Sequence, residues 1–314
     1  MLRYIAWFAG IGLLASCTST EKPEVSIADR AIRVVATTSI IADLATTIGG
    51  SEVEVESLMG PGVDPHLYQA SARDVSRMSE ADIVVYNGLH LEGKMGDIFE
   101  AMRERGASTV AIAEVSISDS LLLPSKLFQG NYDPHIWFDV RLWAQAGHSL
   151  ATALGRLDST RFRQFSLRAS DYAAKLMEVD AYVHSRVSEI PEAKRLLITS
   201  HDAFEYFGRA YGFEVRGLQG ISTALEVATS DIQDLANLVA ERRIPAMFVE
   251  SSISPRGIEA VREAVRDRGF KVRIGGTLYG DALGGESTTA ATYLGMVRHN
   301  IDTIVLALSN GEGS

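Results

Sequence analysis

Residues 159–191 read STRFRQFSLRASDYAAKLMEVDAYVHSRVSEIP. Apolar or aromatic side chains recur at Phe162, Phe165, Ala169, Tyr172, Leu176, Val179, Val183, Val187 and Ile190, and these steps of three and four hold one helix face. Asp158 or Ser159 can serve as the N-cap, Pro191 marks the stop, and neither Pro nor Gly falls between Ser159 and Ile190. The spacing predicts one unbroken helix, ~43 Å long at 1.5 Å per residue.

The same texture repeats on either side of this rod. Short β-branched runs, each followed by a helical period, lie at Ile32–Ala36, Val53–Met59, Ile83–Tyr86 and Val110–Ala113 before it. After it come Leu196–Thr199, Val215–Leu218, Ala246–Val249 and Val272–Ile274. Strands alternating with helices argue for parallel α/β sheets. The expected fold class is therefore α/β, with two similar lobes, each a mostly parallel four-stranded sheet flanked by helices, joined by one long rigid helix. The expected bounds are an N-terminal lobe at 32–155, the linking helix at 156–191 and a C-terminal lobe at 192–314. A long surface helix on one large domain is the other reading of the same pattern.

Ahead of the first lobe, Arg3 and the amino terminus give a positive region, followed by the uncharged apolar run Ala6–Ala15 and then Ser16-Cys17. This is the layout of a signal peptide over 1–16, and the run is too short for the ~20 residues that span a bilayer. Its ending resembles a bacterial lipobox, in which the cysteine is lipidated and opens the mature chain. A short membrane anchor, or a plain signal with a chance Cys17, is the alternative. Cys17 is the sole cysteine, so an intramolecular disulfide and a Cys-based zinc site are both excluded. The polar segment 17–31 reads as a tether. A net charge of −10 without a basic stripe argues against nucleic acid as a partner.

Any metal site must then use His, Asp and Glu. Two tripeptides match, Asp64-Pro65-His66 and Asp133-Pro134-His135, each preceded by a glycine-bearing loop. Proline fixes φ just before each histidine and biases the preceding Asp toward an extended conformation. His201 follows the apolar run Leu196–Ile198, and Asp281 follows Val272–Ile274. His66, His201 and Asp281 thus fall just beyond the C-terminal ends of expected strands, the edge where open α/β sheets bind ligands. With His66 and His135 from one lobe and His201 and Asp281 from the other, an ion would lie in the cleft.

These segments also carry a family resemblance. Gly60-Pro-Gly-Val-Asp-Pro-His66-Leu-Tyr68, Asn87-Gly-Leu-His-Leu-Glu-Gly-Lys94 and Asp133-Pro-His135-Ile-Trp-Phe-Asp139 are followed by Ser200-His201-Asp-Ala-Phe-Glu-Tyr-Phe207. Gly217-Leu-Gln-Gly-Ile-Ser222, Val249-Glu250-Ser-Ser252 and Leu278-Tyr-Gly-Asp281-Ala-Leu-Gly284 complete the set. In this order they resemble the manganese/zinc solute-binding lipoproteins of bacterial ABC transporters, the group with a rigid linking helix. The resemblance implies His66, His135, His201 and Asp281 as ligands of one divalent ion, Mn2+ or Zn2+, bound as cargo. It implies an ABC permease and its ATPase as partners, a lipid on Cys17 holding a monomer to the membrane, and a periplasmic or extracellular location. It implies no catalysis.

Two departures bear on the metal. The long His- and acid-rich loop of zinc-dedicated relatives is missing, and His201 stands where some manganese-selective relatives have Glu. Three imidazoles and a carboxylate suit zinc, while a bidentate Asp281 would help manganese. Both metals stay open. A surface adhesin and a periplasmic zinc hydrolase are the alternative functions. Against the hydrolase stand four protein ligands where a catalytic zinc keeps an open position, and the lack of HExxH, GxSxG or a Gly-rich phosphate loop.

Further residues divide between site and scaffold. Glu250 ends an expected strand, where it either hydrogen-bonds a ligand imidazole or caps a helix. His90 reads as a surface residue near the cleft mouth, and His148, His184 and His299 as satisfied or solvated helix residues. Glu205 is a rival ligand one turn after His201. Trp137, Phe138 and Trp143 read as core or lobe-interface aromatics.

Overall fold

The computed structural model describes residues 26–125 and 131–309. The signal peptide, Cys17 and the first part of the tether lie outside the described residues. Residues 26–31 of the expected tether are ordered: Ile27–Asp29 form a 3-10 turn, and the Arg161 guanidinium donates to the carbonyls of Ile27, Ala28 and Arg30.

The first half opens with β1 (Ile32–Ala36), α1 (Ser39–Gly49) and β2 (Val53–Ser57). It continues through α2 (Ala72–Glu80), β3 (Ile83–Tyr86), α3 (Gly96–Glu104), β4 (Thr109–Ala111) and α4 (Ile112–Ser116), and closes with α5 (Val140–Leu157). Its strands form one parallel sheet in the order β2-β1-β3-β4. The run Val110–Ala113 is strand only to Ala111, because Ile112 turns into helix and buries beneath the sheet. Thr38, just past β1, caps α1 by accepting the backbone N–H of Ile41 at 3.3 Å. The polypeptide therefore turns from strand to helix at the same sheet edge each time.

The rod is α6 (Phe162–Val187), shorter than the expected span from Ser159. Asp158 instead closes α5, and its carboxylate takes the backbone N–H and the hydroxyl of Thr160, spending its acceptors on a turn between the helices. The apolar face falls as the period demands from Phe165 on, with Phe165, Ala169, Tyr172, Leu176, Val179, Val183 and Val187 all buried, whereas Phe162, counted in the same period, is exposed in the first turn. That face packs on α1 and α5 of the first half.

The second half runs β5 (Leu196–His201), α7 (Glu205–Tyr211), β6 (Glu214–Gln219), α8 (Thr229–Glu241), β7 (Ala246–Glu250), α9 (Arg256–Asp267), β8 (Arg273–Leu278) and α10 (Tyr293–Ser309). α6 also packs against α7 and α10, so one rod touches both halves. The four strands here do not hydrogen-bond as the single expected sheet. They form two parallel pairs, β5-β6 and β7-β8, with β5 lying beside β7. The β7-β8 pair carries a register irregularity at Met247/Phe248, and between β5 and β7 the N–H at the end of β5, on His201, goes to a Glu250 carboxylate oxygen instead of a backbone carbonyl. One hydrophobic core joins α1, α5, α6, α7 and α10, from Ile32 to Leu308. Among the described residues no helix is long and apolar enough to cross a membrane.

Candidate metal centre

Each candidate ligand is delivered by a strand end or by a turn that its own sequence fixes. His66 follows β2, and its backbone N–H donates to Asp64 Oδ1 at 2.9 Å, closing an Asp-Pro-His turn. His135 sits in the matching turn, donating its backbone N–H to Asp133 Oδ1 at 2.9 Å, ahead of the 3-10 turn Ile136–Phe138. His201 is the last residue of β5, and Asp281 lies three positions past Leu278, the end of β8.

The fold brings all four together. One ligand atom from each lies within 4.8 Å of every other, and all four residues are buried. Asp281 is the hub: Oδ1 lies 3.4 Å from His135 Nε2, and Oδ2 lies 3.3 Å from His201 Nε2 and 3.9 Å from His66 Nε2. The three rings face one another with centroids 5.2–5.7 Å apart. His66 Nε2, His135 Nε2, His201 Nε2 and both Asp281 oxygens have no hydrogen-bond partner. Buried polar atoms are nearly always partnered, so five converging orphans form a group that could hold a cation. The glutamate beside His201 is not part of the inner group, nor is Glu205 at the start of α7.

The rings are held from behind. His135 Nδ1 pairs with Asp133 Oδ1 at 2.7 Å, and His201 Nδ1 lies 2.9 Å from Glu250 Oε2 while Glu250 Oε1 takes the His201 backbone N–H. α9 starts without a side-chain cap, so Glu250 does not serve as one. A carboxylate behind a ligating imidazole fixes the tautomer that turns Nε2 inward. Gly280 makes room for this: a Cβ there would stand 2.3 Å from Glu250 Oε2.

The pairs also set protonation. For His135, burial lowers the pKa, but Asp133 and Asp281 outweigh it and raise it to about 9. His201 is likewise raised, with Glu250 and Asp281 overcoming burial. Burial would raise Asp281, yet His201 and His135 hold it well below the ordinary carboxylate value. His66 has no carboxylate behind it, and burial drives its pKa down to about 3.

Two residues near the centre escaped the sequence reading, Asp133 and Asp64. Asp133 is read there for its backbone bias alone, although an Asp two residues before a histidine can reach back to its ring. Trp137, read as a core or lobe-interface aromatic, joins the two halves: it donates Nε1–H to Gly280 O at 3.0 Å and stands edge-on to His135, tying the His135 turn to the Asp281 loop. Asp64 also accepts the Thr223 hydroxyl at 2.6 Å from the other half. No sequence signal pairs residues so distant. Phe138 and Trp143 are buried in the core. His148 and His184 are exposed on α5 and α6, and His299 Nε2 lies 3.0 Å from Thr277 O.

Comparison with known proteins places these features in company. The model of the family described as zinc-uptake complex component A, periplasmic (ZnuA), matches residues 34–307. The chain is 45% identical over 308 residues to the zinc-binding protein TroA of Treponema pallidum, covering 98% of each. The solved structure of periplasmic zinc-binding protein TroA from that organism superposes with a TM-score of 0.85 at 47% identity, over 88% of this chain and 99% of that one. The manganese-binding lipoprotein MntA of Bacillus subtilis is 46% identical over 282 residues, 90% of this chain and 91% of MntA. The manganese ABC transporter substrate-binding lipoprotein PsaA of Streptococcus mitis is 28% identical over 305 residues, covering 96% of each.

Proposed function

We propose a function that starts from kinship, since this chain belongs to the periplasmic zinc-uptake complex component A family. It is a solute-binding protein that captures a divalent transition-metal ion outside the cytoplasm and delivers it to an ABC transporter for import. The observation that carries this reading is the buried group of His66, His135, His201 and Asp281, whose unpartnered atoms converge from both halves of the chain. Relatives named for zinc and for manganese stand at nearly equal identity, and the donor set admits both metals. We assign one Mn2+ or Zn2+ per chain as cargo.

Four protein ligands fill a tetrahedral shell and leave no position for a reacting water, which favours carriage over hydrolysis. Release must hand the ion to a permease with its ATPase, and the lipobox-like Leu14-Ala-Ser-Cys17 supports a lipid on Cys17 that keeps the monomer at the periplasmic or extracellular face of the cell membrane.

The test is metal analysis of protein purified without chelator, followed by calorimetric titration of chelated protein with Mn2+ and with Zn2+. One ion per chain is expected. His201→Ala should weaken binding by more than the roughly 10–100-fold that loss of an outer partner costs. Unchanged affinity in both His66→Ala and His201→Ala would overturn the assignment.

A further inference from the structure

The four inward-facing residues are not equally shut off. His66 keeps 4% exposure, against 0% for His135 and His201 and 1% for Asp281. A surface cavity of about 180 Å3 reaches His66 and none of the other three; its walls include Leu89, His90 and Pro134 from the first half and Ile221 and Ser222 from the second.

His90 borders that cavity on an unusual backbone. Gly88, Leu89 and His90 have φ of 81°, 53° and 64°, a left-handed run that residues bearing a Cβ adopt rarely and at a cost. Buried Glu92 holds the run by accepting the N–H groups of Asn87 at 2.8 Å and Gly88 at 3.2 Å. Glu114 accepts from Leu89 N–H at 3.0 Å, and Asn87 Nδ2 donates to Pro134 O at 3.0 Å. All this presents an exposed imidazole that makes no hydrogen bond, ion pair or ring contact among the described residues. Strain maintained by so many bonds points to a use.

His90 also borders a second, larger hollow of about 440 Å3, whose lining sets Glu92, Asp97, Glu100, Glu104 and Glu114 against the single cation Arg103. Arg103 pairs with Glu100 at 3.0 Å, and the wall keeps an acidic excess; a concave wall of net negative charge raises the local concentration of cations. The two cavities share His90.

We propose that His90 is the first imidazole an incoming divalent ion meets, and that the ion passes from the acidic hollow across His90 into the smaller cavity and onto His66. The inference rests on the metal-carrier function proposed above. A hydrated ion must exchange water for nitrogen before it fits among ligand atoms packed within 4.8 Å. One solvent-exposed imidazole takes up such an ion weakly and releases it readily, which is what a step along a path requires. Because a relay lowers the barrier in both directions, it speeds uptake and release without changing the equilibrium.

The experiment is stopped-flow mixing of the full chain with Zn2+ alone, read by tryptophan fluorescence, since Trp137 stands 5.2 Å from the His135 ring. His90→Ala removes the relay and Ser222→Trp plugs the cavity. Each should lower the association and dissociation rate constants severalfold and together, leaving Kd and stoichiometry as in the wild type. Rates unmoved in either variant would overturn the proposal, as would a weakened Kd with unchanged association in His90→Ala. A wild-type chain that took up no ion would instead sink the carrier function itself, whereas normal binding with unmoved rates sinks the route alone.

Discussion

One carboxylate shared among three imidazoles governs the chemistry at the residue scale. Without a metal, Asp281 is held ionised by His201 and His135, and those two rings are held protonated by it and by Glu250 and Asp133. An ion needs neutral imidazole, so loading at pH 7 must expel protons from His135 and His201. The unperturbed value near 6.5 would put proton competition below about pH 6; carboxylates behind the His135 and His201 rings move it upward, so affinity should keep rising with pH well above 6, through about 9 for the His135 contribution. Titrations in buffers of different ionisation heat should report about one to two protons released per ion at pH 7. Heats independent of the buffer would exclude this. For the metal-free fold, His135 contributes stability that is full below its unfolded pKa near 6.5 and lost as pH climbs through about 9, and His201, also raised, acts in the same direction. His66 acts oppositely below 6.5, where unfolding takes up a proton that the folded ring, with its pKa near 3, refuses.

Among the elements, α6 carries the largest share of the argument. Its apolar face was readable because a 3.6-residue period survives whatever the helix packs against, and the spacing selects every buried residue from Phe165 to Val187 except Asp180, which pairs with Arg141 and Tyr211. Its first turn was misjudged because Asp158 and Ser159 are both good caps by residue type, and the choice of Asp158 for closing α5 depends on Thr160 and Arg161 folding back over it. Leu176 is fully buried near the middle of the rod. Leu176→Ala should cost about 2–5 kcal/mol in urea unfolding through lost burial and the cavity left behind. The single-site stoichiometry should survive, because the ligands hang from strand ends and loops. A loss below ~1 kcal/mol would mean the face can collapse around the gap and does not brace the core.

For the whole molecule, the halves are joined by more than the rod. The Trp137 indole reaches Gly280 O, the Tyr293 hydroxyl donates to Trp137 O, the Tyr206 hydroxyl donates to Asp133 O, and the Leu283 N–H donates to Ser39 Oγ. These bonds and the continuous core leave little room for a wide swing, since kinks in a helix need Pro, Gly or a bulge. Release should therefore come from small movements of the loops bearing His201 and Asp281. Small-angle scattering should give nearly the same radius of gyration for metal-free and loaded protein; a change of the size produced by hinged lobes would defeat the rigid brace. Loading should nonetheless raise the melting temperature, because a ligand at a thousandfold excess over Kd stabilises by about 4 kcal/mol. Identical melting curves would show that the ion does not tie the halves together.

The sequence by itself determined the alternation of strand and helix, the long rod and the four inward-facing residues. Each rests on a local rule: hydrophobic period, the φ constraint in Asp-Pro-His, and the habit of parallel sheets to present ligands at strand ends. Tertiary structure alone decided what depends on two distant segments meeting. That Glu250 backs His201, that Trp137 ties the His135 turn to the Asp281 loop, and that β5 and β7 lie side by side without a shared ladder are facts of packing. The same holds for protonation. His66 and His135 follow the same Asp-Pro dipeptide, yet one imidazole lies near 3 and the other near 9, because burial acts on both while Asp133 turns to the His135 ring and Asp64 takes the Thr223 hydroxyl instead.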